Sequence, residues 1–212
     1  MQAINITDIQ HDFLPGGALS VPDGDAVIPV VNALTPLFPL VAATKDWHPP
    51  DNGSFAANHP GHQVGDIIDL GGQPQILWPP HCVQGSWGAE FSPALDTSRI
   101  ARVIYKGTNP LIDSYSGFFD NGHWQATGMH DYLRQQGVTD LFIVGLATDY
   151  CVLYTVLDAR TLGYTVYVVE DGCRGLNVQP GDVERALQQM RDVGALIVRS
   201  DEVERYLRRK AA

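Results

Sequence analysis

Cys151 lies in the stretch Gly145-Leu146-Ala147-Thr148-Asp149-Tyr150-Cys151-Val152, between an apolar run and a segment with helical spacing. Thr148 is placed to cap that helix, with Cys151 in its first turn. The partial positive charge of a helix N-terminus favours a thiolate and lowers its pKa from about 8.5, so Cys151 is a candidate nucleophile. A free cysteine is as readily a small buried hydrophobe, and on this residue alone the two readings weigh the same. Cys82 and Cys173 lack the placement and are read as such hydrophobes. A thiol nucleophile needs a base. Asp8, directly after the apolar run 3–7, is the candidate, against a plain role as cap or turn residue. Lys106 follows the run 101–105 and precedes Gly107; it can pair with Asp8 and orient it, although most lysines are solvated surface residues. Asp12 reads as a turn residue.

A second chemistry is written in Lys45-Asp46-Trp47-His48-Pro49-Pro50. In an extended segment residues two apart point to the same side, so Asp46 and His48 can reach one ion. His81, in Trp78-Pro79-Pro80-His81, can supply a third ligand. Two histidines and one carboxylate leave positions open for water or substrate, and they suit zinc, iron or manganese. Ser54 or water can complete the sphere. D-x-H alone is a weak motif, and each histidine taken singly is more often a loop residue; that reading stands for His11, His59, His62, His123 and His130.

These groups need a frame to bring them together. Apolar runs at 3–7, 40–44, 101–105, 141–145, 165–169 and 195–198 read as strands. Helical spacing falls at 26–37 with Asp25 as N-cap, at 123–137, from about 149 to 162, at 181–194 and at 201–209. Strands alternating with helices predict a three-layer α/β/α fold around a mainly parallel six-stranded sheet. Asp8, Asp46, Lys106 and Cys151 each follow a different strand, at the edge where open parallel sheets bind ligands. Residues 47–98, rich in Gly, Pro, His and Asn, are expected to form a functional loop region inside one domain spanning 1–212.

The chain has 212 residues and a formal net charge of -10. That balance argues against nucleic acid and anionic membranes as partners. Neither a secretory leader nor a spanning run is evident, and three cysteines without C-x-x-C pairing fit a reducing cytoplasm.

The segments DIQHDFLPGGAL, TKDWHPPDNGSFA, LWPPHCVQGSWGAEF, YKGTNPLIDSYSGFFDNG, GLATDYCV and DGCRG occur in this order between Asp8 and Gly175. Together they resemble the bacterial nicotinamidases (pyrazinamidases) of the isochorismatase-like hydrolase family. The departures are small: His11 stands where asparagine is common, and Asn5-Ile6-Thr7 replaces a more continuous apolar run.

The resemblance implies metal-dependent hydrolysis of nicotinamide, and of pyrazinamide too, through a cysteine thioester, in NAD salvage. It makes Asp8, Lys106 and Cys151 the catalytic triad and Asp46, His48 and His81 the ligands of one divalent ion, zinc first. It puts Ala147 and Cys151 at the oxyanion hole, Phe13, Trp78 and Tyr115 around the substrate ring, and a cis peptide between Leu146 and Ala147. A homo-oligomer is compatible with it. Two alternatives are kept: an amidase of the same superfamily acting on ureido or carbamoyl compounds, and a non-catalytic metal or thiol-redox module.

Overall fold

Six parallel strands form the central sheet of the computed structural model, which describes residues 1–208. They are β1 (Gln2–Thr7), β2 (Val41–Asp46), β5 (Ile100–Lys106), β6 (Asp140–Leu146), β7 (Thr165–Arg174) and β8 (Leu196–Val198), in the spatial order β5-β2-β1-β6-β7-β8. All of β2 and β6, and β1 after its first residue, are buried. That is why these runs are mostly apolar on both alternations, with their polar residues gathered mainly toward the strand ends: a parallel sheet is covered on both faces.

Helices α1 (Val27–Leu34) and α5 (Val203–Arg208) cover one face, where Val27, Val31 and Val203 join Ile4, Ile6, Phe142 and Val144 in one core. Helices α2 (Met129–Gln135), α3 (Leu153–Thr161) and α4 (Asp182–Asp192) cover the other, where Met129, Leu133, Val156 and Met190 pack on Ile143, Val166 and Val168. The predicted three-layer fold is therefore observed. From β1 the chain builds outward through β2 to β5, then crosses back to place β6 on the other side of β1. The order reverses between β1 and β6, and a crevice opens at such a point beyond the carboxyl ends of the strands.

Several elements differ from the sequence reading. The helix expected over 123–137 begins only at Met129, after Gly128 in the left-handed region (φ 88°). Ahead of it the carboxylate of Asp120 accepts the backbone N–H groups of Gly122, Trp124 and Gln125, which holds a turn in place of helix. Asp25 does not cap α1; it sits inside a short 3-10 turn, and the N-cap position falls on Ala26 with no side-chain bond. The closing helix, expected from residue 201, begins only at Val203 after a 3-10 turn over Ser200–Glu202 and is seen as far as Arg208; Arg209 lies outside the described residues. Strand β7 runs on through Cys173 and Arg174, which pair with Gly145 and Leu146 beyond a register shift. The 47–98 region holds an antiparallel hairpin, β3 (Ile67–Leu70) and β4 (Gln73–Ile76), turned by Gly71 and Gly72.

Candidate active site

Register brings the reactive groups together. Asp46 and Lys106 are direct partners across β2 and β5. Asp8 leaves β1 at the next position after Thr7, in the left-handed region (φ 48°), which aspartate tolerates better than most residues. Lys106 Nζ lies 2.9 Å from Asp8 Oδ2 and 3.4 Å from Cys151 Sγ, and it also contacts Asp46 Oδ1 and the carbonyl of Ser114. One buried ammonium thus joins residues from four strand ends. Thr44 donates to Asp8 Oδ1 at 2.6 Å. Oδ2 is in ion-pair range of Lys106 but lacks hydrogen-bond geometry to it, so this oxygen keeps a lone pair for a proton. A carboxylate oxygen of Asp8, one of Asp46 and Cys151 Sγ lie within 4.8 Å of one another.

The electrostatics follow from burial. Desolvation pushes the Asp8 carboxyl above its ordinary value, aided by the nearby Asp46 charge and opposed by Lys106 and the Thr44 hydroxyl. Asp46 feels the same desolvation, but Lys106 and His48 outweigh it and hold the carboxyl well below the usual range. Burial disfavours charge on Lys106, yet Asp46, Asp8 and Cys151 together raise its pKa well above that of a free lysine. Desolvation also lifts the Cys151 thiol well above its ordinary value; Lys106 favours the thiolate, and Asp8 and Asp46 oppose it. This direction is opposite to the lowering expected of a helix terminus. Helix α3 is preceded by a π-type turn, Thr148–Val152, and Thr148 makes no side-chain cap. Burial thus favours the neutral form of the thiol, beside an Asp8 carboxyl of raised basicity.

Asp46 also belongs to a second cluster. Its Oδ2 lies 3.6 Å from His48 Nε2 and 3.8 Å from His81 Nε2. His48 Nδ1 is 3.0 Å from the carbonyl of Gly107, and His81 Nδ1 is 2.8 Å from that of Pro79. Each ring therefore donates through Nδ1 and turns a lone pair on Nε2 toward Asp46, the arrangement that prepares a histidine for a metal. His48 Nε2 is buried and has no hydrogen-bond partner. A polar atom of that kind is costly unless something else binds it, so the donor set fits a divalent ion. Without an ion, desolvation opposes protonation of His48, but the charges of Asp46 and Asp113 prevail and raise its pKa.

Backbone contacts fix the cluster. Gln10 brackets the peptide of Asp46, accepting its N–H and donating to its carbonyl, each at 2.8 Å. The His48 N–H donates to the carbonyl of Cys82 at 3.0 Å, which lays the His81 loop beside β2. Gly107 has φ 66°, and a Cβ there would fall on the His48 ring. Ser54 is buried and its hydroxyl donates to Asn52 Oδ1 at 2.8 Å.

The thiol of Cys151 opens into the same narrow cavity as Asp46 and His81, two of the candidate metal ligands, and Ala147 also lines it. Phe13 meets His81 edge-on with ring centroids 5.5 Å apart. Trp78 Nε1 and Gln75 Nε2 both donate to the Tyr115 hydroxyl, at 3.0 and 2.8 Å. The three predicted aromatic residues all line the cavity, and the Leu146–Ala147 peptide is cis. Sequence reasoning missed Leu19, Asp113, Tyr150 and Leu176 in the same lining. Two had a signal: Tyr150 adjoins Cys151, and Asp113 stands two residues before Tyr115. Leu176 had none. It is brought there by Asp149, whose carboxylate accepts the N–H groups of Leu176 and Asn177 at 2.9 and 2.7 Å.

The sheet order and the grouping at its reversal describe an α/β enzyme with its reactive side chains at the switch point. Residues 2–202 match the isochorismatase domain, and the chain belongs to the isochorismatase family. It is 48% identical over 200 residues to a nicotinamidase of Escherichia coli K12, covering 92% of this chain and 93% of that one. Among solved structures it resembles the Acinetobacter baumanii nicotinamidase pyrazinamidase at 42% identity and TM-score 0.93, with 95% and 97% of the two chains covered. It also resembles the pyrazinamidase of Pyrococcus horikoshii in complex with zinc at 39% identity and TM-score 0.76, over 93% and 98% of the chains.

Proposed function

We propose that this chain hydrolyses nicotinamide to nicotinate and ammonia, with Cys151 as nucleophile, Asp8 as proton carrier and Lys106 as their electrostatic partner. The observation that carries the reading is the convergence on Lys106 Nζ of Asp8 Oδ2 at 2.9 Å and Cys151 Sγ at 3.4 Å, beside a cavity that Cys151 lines. The high identity to nicotinamidases supports the choice of amide.

Asp8 Oδ2 takes the thiol proton as Sγ bonds to the carboxamide carbon, and Lys106 offsets the charge as it moves from carboxylate to sulfur. The backbone N–H groups of Ala147 and Cys151 receive the developing oxyanion, where loss of one donor costs about 10²–10³ in rate. The C–N bond breaks as Asp8 returns the proton to nitrogen, releasing ammonia and leaving a thioester. Asp8 then takes a proton from a water that attacks the thioester and passes it to the departing sulfur, which restores the free thiol and releases nicotinic acid, ionised in water to nicotinate. Phe13, Trp78 and Tyr115 hold the ring. Asp46, His48 and His81 would hold a divalent ion, with Ser54 or water completing its sphere; the zinc complex of the Pyrococcus relative supports zinc. When bound, that ion would anchor and polarise the substrate ring. A role in NAD salvage follows from the reaction. No helix among the described residues is long and apolar enough to cross a membrane, and the three free, buried cysteines suit a reducing cytoplasm.

The test is ammonia release from nicotinamide, pyrazinamide and ureidoacrylate by the wild type and Cys151→Ala. Turnover of the first two by the wild type alone, with a nicotinoyl adduct on Cys151 caught by intact mass, is expected. Turnover of ureidoacrylate in preference, or substantial turnover by Cys151→Ala, would overturn the reading.

A further inference from the structure

Asp12 does more than shape a turn. It lies in a 3-10 turn, His11–Phe13, four residues beyond Asp8, and it is half-buried. Its Oδ2 accepts the backbone N–H of Cys82 at 2.7 Å, across 70 residues of sequence. Its Oδ1 accepts the N–H of Ala18 at 3.3 Å, and its carbonyl accepts that of Leu19 at 2.9 Å. No lysine or arginine pairs with it among the described residues. The charge is committed to backbone N–H groups, which makes those bonds charge-assisted and roughly twice as strong as neutral ones.

The peptide it grips sits between two of the metal-ligand candidates. Cys82 directly follows His81, and its carbonyl accepts the N–H of His48 at 3.0 Å. Cys82 also has φ 46°, a left-handed conformation that a residue with a Cβ adopts at a cost and keeps only where its surroundings impose it. The Asp12 carboxylate on one side and His48 on the other supply that imposition. Gly88 packs against the carboxylate, at a place where a Cβ would collide with it.

We propose that Asp12 is a positioning residue that fixes the backbone after His81, and so holds the His81 and His48 rings in register for one metal ion. The proposal rests on the metal reading above. It assigns Asp12 to the ion's affinity and leaves the thiol chemistry to Asp8 and Lys106.

The experiment measures zinc affinity of the full chain by competition with a chromophoric chelator, for wild type, His81→Ala, Asp12→Asn and Asp12→Ala. The rate of Cys151 alkylation by iodoacetamide in the zinc-free proteins is the control. Asp12→Ala is expected to weaken zinc binding by about 10–100-fold, the usual effect of losing a group that orients a ligand. Asp12→Asn, which keeps a neutral acceptor oxygen, should fall between it and wild type. Alkylation should be unchanged in both, and excess zinc should restore kcat. Loss of affinity in His81→Ala with none in Asp12→Ala would overturn this proposal alone. Unchanged affinity in His81→Ala would remove the metal reading and the proposal with it. A parallel change in thiol alkylation, or failure of both Asp12 variants to fold, would show a general structural role and equally overturn it.

Discussion

Cys151 and Asp8 influence each other in a way that separates reactivity from catalysis. The Asp8 charge is among the groups that raise the thiol pKa, after desolvation, while the mechanism needs Asp8 to carry the proton. Asp8→Asn therefore removes a negative charge beside sulfur and the base at the same time. In zinc-free protein, the pH at which iodoacetamide inactivates Cys151 should move down in this variant, with faster alkylation at a given neutral pH. Turnover should fall by about 10²–10⁴, the usual loss for a general base. In the wild type, alkylation should keep rising past the ordinary thiol range, because burial raises the thiol pKa. An alkylation profile that levels off well below 9 would mean that a preformed thiolate is present after all. A lowered thiol pKa is what the sequence suggests, since a cysteine near a helix start reads as activated. What the letters do not carry is that the thiol is buried with two carboxylates nearby, a fact of three dimensions that outweighs the helix end.

The elements carry their chemistry through register and through the residues just past their ends. Six strands and their order along the chain are legible because a run buried on both faces, as β2 and β6 are, is apolar through most of its length. The positions of Asp8, Asp46, Lys106 and Cys151 relative to those runs are legible for the same reason. The spatial order β5-β2-β1-β6-β7-β8 is not, since it depends on which face each crossover covers. The start of α2 was misread because the amphipathic letters of 123–128 carry no trace of a carboxylate gathering three N–H groups at Asp120. The β3–β4 hairpin did have a signal, since a Gly-Gly pair favours the positive φ of a two-residue turn. Gly107 shows how an element end governs the site. Gly107→Ala should force apart the end of β5 and His48, because the new methyl group competes with the ring and the backbone resists φ 66°. We expect zinc affinity to fall by about 10–100-fold and stability by about 1–3 kcal/mol. Competition titration and thermal melts read the two effects. Wild-type zinc affinity in Gly107→Ala would show that His48 is not held by this contact.

At the scale of the whole molecule, the proposed metal site ties together parts of the chain that are distant in sequence. Asp46 ends a central strand, His48 packs on Gly107 after β5, and His81 comes from the long loop. In the unfolded chain these ligands are far apart and hold an ion poorly, so binding free energy adds to folding free energy. At a metal concentration 100 times Kd the gain is about 2.7 kcal/mol. For a chain of this size each kcal/mol shifts Tm by about 2–4 °C, so chelation should lower Tm by about 5–11 °C. Zinc should reverse the loss. His48 adds a reason for the size of the effect, because chelation leaves its buried Nε2 without a partner. The shift should vanish in His81→Ala if the ion is lost there, whereas Cys151→Ala should retain it, since sulfur is not among the ion's proposed ligands. A Tm indifferent to chelator in the wild type would show that the two histidines and the carboxylate are held by the fold alone. A shift that survives His81→Ala but not Cys151→Ala would place the ion instead among Asp8, Asp46 and Cys151, the other group of donors within reach of one another.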